Sequence, residues 1–175
     1  MVVKIELIII KSILFFFIFL ASTYIGILIS NRYKNRVKDL KEFKSFINII
    51  NTKIRYTYEP IGEICEDLSK MSDSNIGKLF YKFGFLIKDK SITKSWEEAI
   101  DEYGENFSKE DKTIIKTLGR MLGKTDVEGQ ASELEQFQEF LKMQIEKAEK
   151  DKQKNEKLYK SLGMVIGLAI IIILI

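Results

Sequence analysis

The sequence predicts an all-α protein: a membrane-anchored helical bundle with two long antiparallel stalk helices and a head of shorter helices. Three observations predict it. Apolar residues recur at steps of three and four through the middle of the chain, the repeat of one helical face. No stretch of useful length alternates apolar and polar as a half-buried strand would, and no hairpin dipeptide separates β-rich runs. An uncharged apolar run lies near each end of the 175 residues.

The first run, Ser12–Ser30, reads SILFFFIFLASTYIGILIS and follows a short leader at 1–11. Nineteen helical residues at about 1.5 Å each match the roughly 30 Å hydrocarbon core of a bilayer. No Ala-x-Ala cleavage pattern follows it, so it reads as a retained transmembrane helix. The second run, Ser161–Ile175, reads SLGMVIGLAIIIILI, about 22 Å of helix and short for a span. Leu158 and Tyr159 extend its apolar surface, and Lys160 can snorkel to the headgroups. Arg32, Lys34, Arg36, Lys38, Lys41 and Lys44 follow the first span. Lys147, Lys150, Lys152, Lys154, Lys157 and Lys160 precede the second. By the positive-inside rule, residues 31–160 form a cytoplasmic helical domain with both termini outside, although Lys4 and Lys11 oppose this.

Within that domain the first helix continues from Tyr33 to about Thr57. Its stripe is Tyr33, Val37, Leu40, Phe43, Ile47, Ile50 and Ile54, which calls for a long partner helix alongside. Tyr58-Glu59-Pro60 interrupts it, because proline suits a first turn and not a helix interior. A second helix to about Lys70 then buries Ile61, Ile64, Cys65 and Leu68. Asp73 or Ser74 caps a third helix, about Asn75–Asp89, packed through Ile76, Leu79, Phe80, Phe83, Leu86 and Ile87 and modestly weakened by Gly84. Thr93 or Ser95 caps the next, with Ser95 and Glu98 at capping-box spacing. It carries Trp96, Ala99, Ile100 and Tyr103 and ends near Gly104. Ser108 and Asp111 open a fifth helix through Ile114, Ile115, Leu118, Met121 and Leu122. Gly123 and Thr125 make a tight turn, after which a long helix runs from about Asp126 to the membrane. Val127, Leu134, Leu141 and Ala148 recur there at seven, with Phe137 and Phe140 widening the stripe beyond a strict coiled-coil seam.

Composition removes several chemistries. There is no histidine and Cys65 is the only cysteine, which excludes the common zinc sites, a serine–histidine triad and an intramolecular disulfide. Cys65 on an apolar helical face reads as a small core residue, and Trp96, the only tryptophan, as a core anchor. No fixed-spacing motif selects any carboxylate pair, so no catalytic residue, metal site or cofactor is expected. The net charge of +3 is segregated: residues 31–44 carry +4, while residues 59–140 carry −7. The basic ends suit anionic lipid at the bilayer, and the acidic middle disfavours nucleic acid and suits a basic protein partner.

Leu118-Gly119 and Leu122-Gly123, then Thr125-Asp126 and Gln130, resemble the signature of the stage III sporulation protein AB family. The resemblance extends to Glu59-Pro60, Leu79-Phe80, Phe83, Trp96, Ala99 and Leu162-Gly163, and so covers essentially the whole chain. Thr125 stands where many relatives carry serine, another hydroxyl able to cap a helix. The resemblance implies a subunit of the membrane complex joining mother cell and forespore during endospore formation. It also implies a cytoplasmic module like those of type II secretion platform proteins, beside a cytoplasmic ATPase. The protein would then be a non-catalytic platform in the mother cell membrane, linking a stage III sporulation protein AA-like ATPase to the other membrane subunits. The expected contact residues are Glu59, Arg120, Asp126 and Gln130, held by a structural turn of Pro60, Gly119, Gly123 and Thr125. The alternative is a membrane-anchored dimerisation or signalling module paired through the Tyr33–Ile54 stripe.

Overall fold

The computed structural model describes residues 2–57, 59–122 and 127–174, and among them there are six helices and no strand. In chain order these are α1 (Val2–Tyr56), α2 (Ile61–Met71), α3 (Asn75–Leu86), α4 (Ile92–Tyr103), α5 (Lys109–Met121) and α6 (Val127–Leu174). The first apolar run and the first stripe thus belong to one uninterrupted helix, as do the last stripe and the C-terminal run. The chain forms two compact units, Met1–Asn35 with Glu149–Ile175, and Arg36–Ala148.

In the first unit α1 and α6 form a hairpin. Ser22 Oγ donates to the Gly163 carbonyl at 2.7 Å, and Ser30 Oγ to the Glu156 carbonyl at 3.0 Å. Moving forward eight residues on α1 moves back seven on α6, so the pair is antiparallel. Each helix contains a stretch long and apolar enough to cross a membrane, and only 6% and 11% of the residues in those stretches are buried. A core helix of a soluble domain would show the reverse. Phe16, Phe17, Ile25, Val165 and Leu168 are all exposed, as apolar side chains are against lipid.

The second unit has an ordinary core. Leu40, Phe43, Ile47 and Ile50 of α1 are enclosed with Ile64 and Leu68 of α2, Phe80 and Phe83 of α3, Trp96 of α4, Leu118 of α5 and Phe137 of α6. The α1 stripe is therefore consumed within the chain. Ser74 caps α3 by accepting from the Gly77 amide at 3.1 Å. Ser108 and Asp111 complete a reciprocal capping box, with bonds of 3.1 and 2.8 Å.

Four local expectations are corrected. Neither Thr93 nor Ser95 caps α4: the helix begins at Ile92 after Ser91, whose side chain makes no cap bond. Ser95 lies buried inside the helix, and Thr93 is used for a tertiary bond instead, donating to the Gly119 carbonyl at 3.0 Å. The α-helix of α3 ends at Leu86, the Lys90 amide turning back to the Leu86 carbonyl at 3.0 Å. Gly84 is more than a weak point in α3. A Cβ there would lie 3.0 Å from that of Cys65, so its small size lets α2 and α3 approach closely. Phe140 does not join the core stripe; it is exposed, as is Met143 one turn on.

Candidate functional site

The expected contact residues fall in separate settings. Glu59, just before α2, accepts from Lys53 Nζ at 2.7 Å, and the same ammonium reaches Asp67 at 2.7 Å. Hydrogen bonds to these two carboxylates hold the Lys53 pKa above the usual lysine range. Pro60 stands at the N-cap position of α2, where its carbonyl accepts from the Ile64 amide at 3.2 Å. Arg120, in the last turn of α5, is exposed and has no ion pair among the described residues. Gly123, Thr125 and Asp126 lie outside the described residues, as does the side chain of Gln130, whose backbone is in α6.

Gly119 has a definite role beyond a place in a structural turn. A Cβ there would sit 2.7 Å from Trp96 Cδ1 and 2.8 Å from Trp96 Cβ. The indole is pinned by its Nε1 donating to the Ile115 carbonyl at 2.8 Å, and it lies edge-on to Phe83 with ring centroids 4.9 Å apart. Phe43 and Phe80 stand against it at 6.0 and 5.6 Å. Gly119 therefore lets α5 lie flat on the tryptophan, and the chain then presents Arg120 to solvent. Trp96 is fully enclosed among these rings.

Another buried group was not anticipated as such. Arg36 grips Asp111 with Nε to Oδ2 at 2.7 Å and Nη2 to Oδ1 at 3.0 Å. The Asp111 side chain is wholly buried and that of Arg36 is 12% exposed. Arg36 therefore works as a core ion pair between α1 and α5 rather than as a charge flanking the membrane. Asp39, buried and accepting from Asn106 at 2.8 Å, has its pKa raised chiefly by that burial.

The acidic surface is partly neutralised within the chain. Lys82, Lys90 and Lys116 pair with Glu102, Glu98 and Asp101 of α4 at 2.9, 2.6 and 2.8 Å. Such exposed pairs stabilise little, about 0–1 kcal/mol each, but they set a cation beside three of the carboxylates a partner would meet. The exposed side chains that sequence reasoning missed are aromatic. Tyr81 and Phe85, one turn apart on α3, line a 340 Å³ groove with Gly62, Glu66, Ser69, Lys70, Gly84 and Lys88. Their signal was present: both fall off the Ile76, Leu79, Phe80, Phe83 stripe.

In the hairpin the close contact is glycine on glycine. A Cβ at Gly26 would lie 2.6 Å from the Tyr159 carbonyl oxygen and 2.9 Å from Gly163 Cα, neither of which can swing aside. Gly26→Leu is expected to part the helices, at a cost of about 1–3 kcal/mol. Bis-maleimide crosslinking of a Tyr33→Cys, Tyr159→Cys pair, partly exposed positions whose rings stack at 5.7 Å across the hairpin, should report this as a sharp loss of product; undiminished product would mean that the contact is dispensable. Cys65 will not interfere, since it is buried and its thiol is pushed up to about 12.

A family model described as stage III sporulation protein AB matches residues 11–175. The chain is 26% identical over 163 residues to stage III sporulation protein AB of Bacillus subtilis (strain 168), covering 90% of this chain and 95% of that protein. A solved structure of a stage III sporulation protein AB superposes with a TM-score of 0.62 at 18% identity, over 67% of this chain and 96% of the solved one. That likeness is one of fold.

Proposed function

Because this chain belongs to the stage III sporulation protein AB family, we propose that it is a non-catalytic platform subunit of a sporulation membrane complex. In this reading the α1–α6 hairpin crosses the mother cell membrane and the Arg36–Ala148 unit stands in the cytoplasm. There the unit docks a stage III sporulation protein AA-like ATPase to the other membrane subunits. The observation that supports it most is the contrast between the two units. One exposes nearly all of its apolar stretches, while the other encloses a full core and presents charged and aromatic side chains outward. A protein that only had to cross a membrane would not need the second.

The alternative, a dimerisation stalk, loses its premise, because the α1 stripe from Val37 to Ile54 is buried inside the chain. Arg120 is the contact residue best placed to test the platform reading, being exposed and unpaired among the described residues. Arg120→Glu is expected to weaken copurification with the ATPase roughly tenfold, the effect of losing one well-placed charge contact. Circular dichroism melts should be unchanged. Full retention by the variant would remove Arg120 from the interface, and no retention by the parent chain in detergent would sink the platform reading.

A further inference from the structure

The hairpin carries an apolar groove of about 470 Å³ along one flank. Ile18, Ile25 and Ile29 of α1 form one wall, and Tyr159, Ile166 and Ile170 of α6 form the other. Each wall spans eleven residue steps from first to last, so the groove is about 16 Å long. That is close to half of the roughly 30 Å hydrocarbon core, the depth of one leaflet.

A charged rim stands at one mouth. Arg32 lies one turn beyond Ile29, exposed and without an ion pair among the described residues. Lys152 lies two turns beyond Tyr159 and meets Glu156 only at 3.9 Å. Glu156 is itself held by Lys160 at 3.0 Å, so its charge is already balanced. At the same mouth the rings of Tyr33 and Tyr159 stack at 5.7 Å, aromatics of the type that settles at headgroup level.

We infer that groove and rim together bind one anionic phospholipid, an acyl chain lying between α1 and α6 and the phosphate on Arg32. The dimensions favour a lipid over a third transmembrane helix, which would need a seam through both leaflets and has no use for a cationic mouth. The exposed guanidinium favours a phosphate, whose oxygens it can take two at a time. Basic pockets beside transmembrane helices recognise acidic headgroups by the same chemistry. The inference rests on the hairpin lying in a bilayer and is independent of any ATPase.

The test is native mass spectrometry of the full chain, released from mild detergent after incubation with equimolar phosphatidylglycerol and phosphatidylcholine of identical acyl composition. Phosphatidylglycerol should be retained about fivefold over phosphatidylcholine, the factor expected of one cation at an anionic headgroup. Arg32→Gln should abolish that preference while total retained lipid stays constant. Ala21→Trp, which fills the groove from its exposed wall without touching the glycine seam, should lower retention of both lipids. Equal retention of the two lipids by the parent chain, or undiminished retention by Ala21→Trp, overturns the inference. So does a two-chain species that excludes lipid, which would give the groove to a second copy. Recovery of the chain in solution without detergent would instead remove the membrane premise itself.

Discussion

Trp96→Ala is expected to destabilise the Arg36–Ala148 unit by about 3–5 kcal/mol, the range for deleting a large aromatic from a closed core. The loss has three parts. The indole is fully buried against Phe43, Phe80 and Phe83, its Nε1 bonds the Ile115 carbonyl, and it is the surface on which Gly119 rests. Truncation leaves a cavity bordered by α4 and α5, which the rigid rings around it cannot collapse to fill. Urea unfolding of the detergent-solubilised chain, followed by far-ultraviolet circular dichroism, measures it. A cost below about 1 kcal/mol would show that the indole is not what joins these helices.

Asp111→Ala is expected to cost a similar amount, about 3–5 kcal/mol, for a different reason. The carboxylate is buried, takes both forks of Arg36 and also accepts from the Ser108 amide in the capping box. Removing it strands a guanidinium that has little access to water and unties the start of α5. The double variant Arg36→Met, Asp111→Ala should recover much of the loss, because the stranded charge goes with its partner. The same unfolding measurement decides. If the two single losses simply add, the pair is not an interacting unit.

The helices were legible because their signals are local. The Ile76, Leu79, Phe80, Phe83 stripe, the Ser108–Asp111 box and Ser74 at the head of α3 all act within one or two turns. The α4 cap was misread because Ser95 and Glu98 have the right spacing, yet the outcome turned on distant partners: Thr93 bonds Gly119, twenty-six residues on. Gly84 read as a weak point in its helix and Gly119 as part of a turn. Each is small because a particular side chain, Trp96 or Cys65, comes to rest on it.

The candidate contacts divide in the same way. Arg120 was legible as a polar residue beside an apolar stripe, and it is exposed. Arg36 looked identical to its neighbours in a run of basic residues near the membrane, and only its meeting with Asp111, seventy-five positions away, separates it from them. Tyr81 and Phe85 were hidden by the opposite error, since aromatic residues on a helix are read as core unless the phase of the stripe is followed residue by residue.

By itself the sequence determined that the protein is all-α, where most helices lie, that both ends are apolar enough for a membrane, and which family it belongs to. These follow from periodicity, length and local motifs, which need no knowledge of what packs on what. Only the tertiary structure decided that the α1 stripe is spent inside the chain, that Arg36 is buried on Asp111, and that Gly26 meets Gly163. Each of those is a contact between segments far apart in the chain, and its energy depends on desolvation and fit that no single segment contains.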